Sequence, residues 1–192
     1  MGNWAEIAGS LLGLANIVLL VRRSVWNFPV AMVMVALVAS VLVEARLYAE
    51  SGLQGFFFVV NGWGWWLWLR ARGDLPAVPV GWMDWRQRLL WLLGAAAFSV
   101  WLGWALARYT SAALPFADAA VTGASIVAQI LLSFRRVENW PLWVAIDVVS
   151  VALYLNRGLY WLAALYVLFG VISLLGWREW AGAARDGRMV QA

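Results

Sequence analysis

The sequence contains no cysteine, no histidine and no lysine among its 192 residues. Without cysteine there is no disulfide, no thiolate nucleophile and no cysteine zinc site. Without histidine, the commonest general base and metal ligand is missing. Charged residues make up only 12% of the chain, against about 25% in a typical soluble domain. This scarcity of charge argues against a soluble enzyme and a nucleic-acid-binding domain, and without cysteine and histidine we expect neither a metal site nor a cofactor.

Apolar residues are correspondingly abundant. The hydrophobic fraction is 65%, tryptophan occurs 16 times and the mean hydropathy is +0.78. A globular protein of this size could not bury so much apolar surface and would aggregate. The composition therefore indicates a protein that crosses the membrane several times, and the net charge of +4 is then a signal of orientation.

Seven apolar runs lie between charged or turn-forming residues. A hydrocarbon core of about 30 Å takes about 20 apolar residues per helical crossing, so each run is a candidate transmembrane helix. The sequence therefore predicts an all-α membrane protein with seven transmembrane helices. The runs are 4–21, 25–43, 53–69, 89–107, 112–132, 140–155 and 158–176.

Arginine is distributed unevenly between the connections of these predicted helices. If the N-terminus lies outside the cell, eleven arginines fall on the inner side and three, Arg46, Arg108 and Arg157, on the outer side. Basic residues of membrane proteins concentrate in cytoplasmic loops. The sequence therefore predicts an N-out, C-in orientation.

The chain repeats itself at an offset of 112 residues. The match is informative because it involves asparagine, tyrosine and tryptophan, whereas chance matches between apolar runs would be leucine, valine or alanine. Asn27-Phe28-Pro29 matches Asn139-Trp140-Pro141, Tyr48 matches Tyr160, and Gly64-Trp65-x-x-Trp68 matches Gly176-Trp177-x-x-Trp180.

The repeat unit is three helices long, which predicts a 3+1+3 arrangement of parallel triple-helix repeats. Three crossings reverse the chain, so the fourth helix must act as a linker that restores its direction. The predicted parts are a first repeat at 1–72, a cytoplasmic loop and linker helix at 73–110, and a second repeat with a cytoplasmic tail at 111–192. In transporters built from such repeats, the substrate site lies near the midplane between them.

Polar and aromatic residues recur at helical spacing on three of the predicted helices, so each set lies on one helix face. Polar groups at this depth are costly and should face the bundle interior. The sets are Gln54, Phe58, Asn61, Trp65 and Trp68 on helix 3, Asp118, Thr122, Ser125 and Gln129 on helix 5, and Trp140, Trp143, Asp147, Ser150 and Tyr154 on helix 6.

These sets predict an aromatic-walled pocket containing amides and carboxylates. Indole faces stack on planar rings and attract cations, and amides supply paired donors and acceptors. The predicted ligand is a small, polar, ring-bearing molecule that is compatible with positive charge. The alternative for each polar residue is a structural hydrogen bond between packed helices, and for Asp118 a place near the outer surface.

Two further expectations concern tryptophan and proline. Trp177 and Trp180 flank Arg178 and Glu179, which is typical of an inner interfacial belt. Pro29 and Pro141 occupy equivalent repeat positions, and because proline disrupts helices they are predicted bend points for a rocking motion.

Together these residues resemble the PnuC-type nicotinamide riboside transporters. Gly64-Trp65-Trp66-Leu67-Trp68 looks like the Gly-Trp-Tyr-x-Trp motif of that family, with Trp66 where tyrosine is usual. The resemblance is densest from about 115 to 180. There it comprises Asp118-x3-Thr122, Ser125-x3-Gln129, Arg135-Arg136-Val-Glu138-Asn139-Trp140-x-x-Trp143, Asp147, Leu153-Tyr154, Gly158-Leu-Tyr160 and Gly176-Trp-Arg-Glu-Trp180.

The resemblance implies a fold like that of the SWEET sugar transporters and assembly as a homotrimer. It implies uptake of a vitamin-like substrate by facilitated diffusion, after which a separate cytoplasmic kinase traps the product. It also carries over substrate contacts at the helix-3 aromatics, Gln129, Asn139, Trp140 and Trp143. The complete set of predicted substrate-binding residues is Gln54, Asn61, Trp65, Trp68, Asp118, Thr122, Ser125, Gln129, Asn139, Trp140, Trp143 and Asp147.

The leading hypothesis is a uniporter for nicotinamide riboside in the bacterial inner membrane. Its planar, cationic pyridinium ring suits tryptophan stacking beside Asp147. The alternatives are a thiamine or riboflavin transporter of the same fold, a proton-coupled variant in which Asp118 or Asp147 changes protonation, and a membrane enzyme or assembly subunit. The lack of histidine, of cysteine and of a clustered carboxylate pair argues against catalysis.

Overall fold

Seven α-helices occupy most of the residues that the computed structural model describes, which are 3–44, 48–75, 77–110, 114–156 and 158–189. The seven predicted apolar runs are thus confirmed as helices. Arg46 and Arg157, which the orientation prediction places outside, lie beyond the described residues. The helices are α1 (Asn3–Val21), α2 (Asn27–Glu44), α3 (Tyr48–Arg72), α4 (Trp85–Tyr109), α5 (Pro115–Ser133), α6 (Asn139–Asn156) and α7 (Tyr160–Met189).

Helix α7 is longer than the hydropathy of the sequence predicts. It continues to Met189 through much of the expected cytoplasmic tail. The added turns contain several alanines and arginines, which are strong helix formers. They also carry Trp180 and Ala184, whose exposed fractions are 0% and 3%. Helix propensity and packing therefore extend α7 beyond the point where hydropathy alone ends it.

Helix α4 also begins earlier than its apolar run, because its first turn is capped. The Asp84 carboxylate accepts a hydrogen bond from the Gln87 N–H at 2.8 Å, and the Gln87 side chain accepts one from the Asp84 N–H at 3.3 Å. This reciprocal capping satisfies two backbone donors at the helix start. The helix therefore starts at Trp85, within the polar stretch that precedes the apolar run.

The two prolines lie at helix starts rather than inside helices. Pro29 and Pro141 are the third residues of α2 and α6. The first backbone N–H groups of a helix have no partner within it, so a proline there removes no hydrogen bond. The prolines therefore fit helix starts, and their role as bend points in a rocking motion stays a prediction.

Consecutive helices pack against one another in two groups of three. Helices α1, α2 and α3 form one group and α5, α6 and α7 the other, while α4 packs against α5. The backbones of the two groups approach each other at two helix pairs among the described residues, α1 against α7 and α3 against α5. At the offset of 112 residues these two contacts are equivalent, since α1 corresponds to α5 and α3 to α7.

Three described helices are long and apolar enough to cross a membrane: Trp85–Tyr109, Pro115–Ser133 and Tyr160–Asp186. Helix α4 is the most peripheral of them, and its exposed side chains include Leu90 and Trp101. Large apolar side chains on an outer helix face belong against lipid.

The turns after α1 and α5 have the same local structure. Arg23 and Arg135, which are 112 residues apart, adopt the left-handed backbone conformation with φ of 55° and 60°, which costs a non-glycine residue about 1–2 kcal/mol. Each arginine N–H donates to a leucine carbonyl three residues earlier, at 2.9 Å to Leu20 and 2.8 Å to Leu132. The repeated conformation indicates that these turns are specified by their surroundings.

An asparagine completes each turn. The Asn27 side-chain amide donates to the Ser24 carbonyl at 2.7 Å, and the Asn139 amide donates to the Arg136 carbonyl at 2.7 Å. Both bonds span three residues and again differ by 112 in number. The asparagine–aromatic–proline signature of the sequence is therefore a turn and helix-start motif in the structure.

The main hydrophobic core lies at the end of the bundle that carries these turns. Two fully buried tryptophans cross between the helix groups there. The Trp68 indole donates to the Leu132 carbonyl at 3.2 Å, and the Trp180 indole donates to the Leu20 carbonyl at 3.2 Å. Each bond is the counterpart of the other at the offset of 112. The prediction that Trp180 lies in an interfacial belt is therefore wrong, because its indole N–H finds a buried carbonyl.

Two equivalent glycines allow the helices to approach at this core. A Cβ at Gly64 would lie 2.5 Å from the Phe28 ring, and one at Gly176 would lie 2.3 Å from the Trp140 ring. Small residues permit close helix packing in membranes. The repeat thus preserves an aromatic ring facing a glycine, on α2 against α3 and on α6 against α7.

The segment that connects α3 and α4 hydrogen-bonds to both turns, the one at Arg23 and the one at Arg135. Its Val78 N–H donates to the Arg23 carbonyl at 3.4 Å, and its Gly81 N–H donates to the Arg135 carbonyl at 3.1 Å. These two acceptors are the equivalent left-handed arginines. The connecting segment therefore crosses this end of the bundle and joins one helix group to the other.

Glu138 binds the end of the segment between α3 and α4 through two hydrogen bonds. Its Oε1 accepts hydrogen bonds from the Met83 N–H at 2.9 Å and from Arg88 Nε at 2.8 Å. The side chain of Glu138 is 13% exposed and that of Arg88 is 45% exposed. The buried Met83 N–H depends on this carboxylate, whereas Arg88 has access to water.

Replacing Glu138 with alanine should destabilise the protein by about 1–3 kcal/mol, because the Met83 N–H loses a charged acceptor in a buried position. The lowered melting temperature of the detergent-solubilised protein would measure this effect. Glu179→Ala, which removes an exposed carboxylate, is the matched control and should melt like the parent. Equal melting of the Glu138 variant and the control would contradict the role of Glu138.

Candidate functional site

A buried amide pair links α3 and α5. The Gln129 side chain donates to Asn61 Oδ1 at 3.0 Å, and the Asn61 amide donates in turn to the Phe57 carbonyl at 2.8 Å. Asn61 is 5% exposed and Gln129 is 7% exposed. The structure therefore brings together two predicted site residues from different helix groups.

Ser133 supports this pair from one turn further along α5. Its hydroxyl donates to the Gln129 carbonyl at 3.0 Å, and a Cβ at Gly64 would lie 2.7 Å from the same hydroxyl oxygen. The amide pair thus lies about one turn from a close approach of α3 and α5 at Gly64 and Ser133.

Asp147 lies inside the bundle and faces α7. Its Oδ2 accepts a hydrogen bond from the Ser173 hydroxyl at 3.2 Å, and the residue is 5% exposed. Gly170 of α7 lies opposite Asp147, and a Cβ at Gly170 would be in ordinary van der Waals contact with that of Asp147, at 3.5 Å. The expectation that Asp147 points inward is confirmed, and among the described residues a single hydroxyl donates to this carboxylate, which is a sparse environment at this depth.

A polar cavity of about 160 Å³ lies between α5 and α6. It occupies the half of these helices that is distant from the turn at Arg135. Asp118 and Thr122 are predicted site residues that line it, whereas Ser150 and Tyr154 lay on the predicted helix-6 face but not in the predicted site. Among the described residues, the lining is Asp118, Val121, Thr122, Ser150, Leu153 and Tyr154.

The tryptophans occupy a different place from the predicted aromatic pocket. Trp68 and Trp140 are fully buried in the hydrophobic core, in contact with Trp180. This core lies at the end of the bundle that carries the turns at Arg23 and Arg135, which we call the arginine-bearing end. Within the described part of the chain, the lining of the polar cavity includes no tryptophan. The predicted aromatic wall around a polar chamber is therefore not what this conformation contains, because these indoles pack against one another and against glycine.

Two polar atoms beside this core have no hydrogen-bond partner among the described residues. They are Trp140 Nε1, a donor, and Asn139 Oδ1, an acceptor, and both are buried. A buried polar atom without a partner costs about 1–3 kcal/mol. These two atoms belong to adjacent predicted site residues, whose substrate contacts stay predictions.

The remaining predicted residues are less constrained. The Ser125 hydroxyl donates to the Val121 carbonyl of its own helix at 2.8 Å, as the structural alternative expected. Gln54, Trp65 and Trp143 are all partly exposed. Their substrate contacts stay predictions.

Sequence analysis missed one polar partner within the bundle, Ser173. A signal for it exists, because Ser173 is the counterpart of Asn61 at the offset of 112 residues. Both residues hydrogen-bond to a polar side chain on a neighbouring helix, Gln129 for Asn61 and Asp147 for Ser173. Comparing the polar residues of the two repeats would have identified it.

Comparison with known proteins decides which family this arrangement belongs to. The family model described as nicotinamide mononucleotide transporter matches residues 3–182. The chain belongs to this family. Its members are transporters, so the seven helices are those of a multi-pass membrane protein and the polar residues between them are candidate substrate contacts.

Curated relatives in the family carry different substrates in their names. The chain is 30% identical to the nicotinamide riboside transporter PnuC of Escherichia coli, over 96% of this chain and 87% of the relative. It is also 30% identical to the riboflavin/roseoflavin transporter RibM of Streptomyces davaonensis, over 97% and 89% respectively. The PnuC of Neisseria mucosa is 26% identical, over 93% and 72%.

A solved structure has the same fold. The crystal structure of the vitamin B3 transporter PnuC superimposes with a TM-score of 0.78 at 24% identity, covering 96% of this chain and 83% of the other. The seven-helix architecture therefore agrees with an experimental relative.

Proposed function

We propose that the chain is a membrane carrier that takes up nicotinamide riboside by facilitated diffusion. The observation that carries the proposal is the 30% identity to a nicotinamide riboside transporter across 96% of the chain. The buried amide pair of Gln129 and Asn61 supports it, since amides bind the carboxamide and hydroxyls of such a ligand. A separate cytoplasmic kinase would then trap the product by phosphorylation.

The proposed architecture is a 3+1+3 arrangement of parallel repeats like that of the SWEET transporters. Its parts are the first repeat at 1–72, the connecting segment and linker helix at 73–110, and the second repeat at 111–192. The equivalent turns at Arg23 and Arg135 and the reciprocal tryptophan bonds support it. We place the arginine-bearing end in the cytoplasm, the N-terminus outside and the protein in the bacterial inner membrane, as a homotrimer.

Alternating access would come from rocking one triple-helix group against the other. In this structure the arginine-bearing end is closed by the tryptophan core and by the connecting segment, while the polar cavity lies toward the opposite end. The contacts that must change during transport are therefore those between the groups, which include α1 with α7, α3 with α5 and the Trp68–Trp180 ring contact between α3 and α7.

Riboflavin is the second candidate substrate, because the RibM relative matches the chain at the same identity. Thiamine is a third, because it is a cation with aromatic rings. A proton-coupled variant using Asp118 or Asp147 is the alternative to facilitated diffusion.

Calorimetric titration of the purified protein with nicotinamide riboside, riboflavin and thiamine distinguishes these substrates. We expect saturable binding of nicotinamide riboside and weaker binding of the other two. Tightest binding of riboflavin would transfer the assignment to the second candidate. Failure of the folded protein to bind any of the three would reject the proposal.

Replacing Gln129 with leucine should lower the affinity for nicotinamide riboside by about tenfold while leaving a folded protein. The change removes an amide that offers hydrogen bonds to a ligand, and tenfold corresponds to about 1.4 kcal/mol, the size of one such bond. The loss of the donor to Asn61 Oδ1 acts on stability and not on affinity. Asn156→Leu, at the exposed end of α6, is the control and should bind like the parent. Loss of folding in the Gln129 variant would instead identify Gln129 as a structural link between α3 and α5.

A further inference from the structure

The cavity between α5 and α6 presents two matched rows of oxygen atoms. Asp118 and Thr122 are four residues apart on α5, and Ser150 and Tyr154 are four residues apart on α6. Residues at this spacing lie above one another on a helix face, about 6 Å apart along the axis. The cavity therefore has four oxygen-bearing side chains distributed along its length.

The chemistry of this lining selects the class of ligand. A carboxylate accepts hydrogen bonds, and the serine, threonine and tyrosine hydroxyls both donate and accept. This combination complements a chain of alcohol groups, each of which also donates and accepts. Phosphate fits poorly, because its charge would face Asp118 and the lining among the described residues contains no arginine.

The size and the position of the cavity are compatible with such a ligand. Its volume of about 160 Å³ is many times the roughly 10–15 Å³ that one water requires. Thr122 lies seven residues from Gln129, which is about 10 Å along α5. A ligand with its hydroxylated part in the cavity would thus direct its ring toward the amide pair.

We propose that this cavity is the subsite for the hydroxylated five-carbon part of the substrate, with Ser150 and Tyr154 as specificity residues. The inference rests on the proposed function. It also accounts for one family containing carriers of nicotinamide riboside and of riboflavin, because the ribosyl and ribityl groups share a hydroxylated five-carbon skeleton while the rings differ.

Tyr154 is the most informative residue to change. Its ring lies 5.1 Å from that of Tyr166 on α7, at an interplanar angle of 56°, and Tyr154→Phe retains this ring contact while removing the hydroxyl. The Tyr154 hydroxyl also hydrogen-bonds to the Tyr166 side chain. We therefore expect the variant to stay folded with a small fall in melting temperature, and to bind nicotinamide riboside about fivefold more weakly. Tyr160→Phe, at an exposed tyrosine, is the matched control and should bind like the parent.

A cycle of protein and ligand changes then tests whether the lost contact is to the sugar. The parent, Tyr154→Phe and Ser150→Ala are each titrated with nicotinamide riboside and with its 2′-, 3′- and 5′-deoxy analogues. For each variant we expect the loss in affinity to disappear with one analogue, since coupling identifies a direct contact.

Equal losses for all four ligands, or no loss for either variant, would overturn the subsite while leaving the carrier assignment intact. Failure of the parent protein to bind any riboside would reject the proposed function and the subsite together.

Discussion

Gly176→Ala should produce one of the two largest losses of stability of any single change considered. The new Cβ would lie 2.3–2.5 Å from three atoms of the Trp140 ring, closer than carbon atoms can pack. The ring cannot rotate away, because Trp140 is fully buried against Trp180. Overpacking typically costs about 1–3 kcal/mol, and with a fixed indole opposite we expect about 3 kcal/mol or more.

The measurement is the melting temperature and yield of the monodisperse protein in detergent. Gly182→Ala on the same helix is the matched control, because a Cβ there meets no atom within 4 Å. It should be neutral or slightly stabilising, since alanine is the better helix former. If both variants melt like the parent, α6 and α7 are not packed as described.

Trp180→Ala is expected to cost about 3–5 kcal/mol, the usual range when a buried tryptophan is truncated. The indole is fully buried, contacts the rings of Trp68 and Trp140, and donates a hydrogen bond to the Leu20 carbonyl. Its loss leaves a cavity and removes one of the two reciprocal bonds between the helix groups. The melting temperature should fall sharply, and transport should fall with the amount of folded protein.

The control for this change is Trp161→Ala on the same helix, where the tryptophan is 72% exposed. It removes the same side chain without opening an internal cavity and should leave folding intact. A Trp180 variant as stable as the Trp161 variant would return Trp180 to the interfacial position that the sequence first suggested.

The sequence was sufficient to predict the seven helices because hydropathy reports burial in lipid directly. It was insufficient at helix ends, where local chemistry decides. Asp84 and Gln87 start α4 through a capping box, and packing of Trp180 extends α7. Both signals lie outside an apolar run, so a reading based on apolar length alone missed them.

The candidate site could be predicted by helix face but not by partner. Helical spacing placed Asn61, Gln129 and Asp147 in the interior, and all three are buried. It could not determine that Gln129 pairs with Asn61, because that contact depends on how α3 meets α5.

Tryptophan is the residue type whose position the sequence predicted least well. Next to charged residues it suggested an interfacial belt, and in a polar face it suggested a ligand wall. Trp180 and Trp68 instead satisfy their indole N–H groups with backbone carbonyls across the two helix groups. Tryptophan can lie in an interfacial belt, in the wall of a ligand site or in a buried core. Only the packing of the opposite helix distinguishes these three positions.

For the polar cavity, too, the sequence predicts the helix faces but not the contact between the helices. Its α5 wall, Asp118 and Thr122, and its α6 wall, Ser150 and Tyr154, were each visible as a helix face. Their meeting depends on the register of α5 against α6, which the sequence does not encode in any local pattern. The repeat offset is more informative, because it relates positions in different helices.

Uptake of labelled nicotinamide riboside into liposomes containing the purified protein tests the central claim most directly. With no ion gradient and no nucleotide, we predict that the label enters faster than into protein-free liposomes and stops when the inner and outer concentrations are equal. Uptake no greater than that of protein-free liposomes, or accumulation above the outer concentration when a pH gradient is imposed, would contradict a passive riboside carrier.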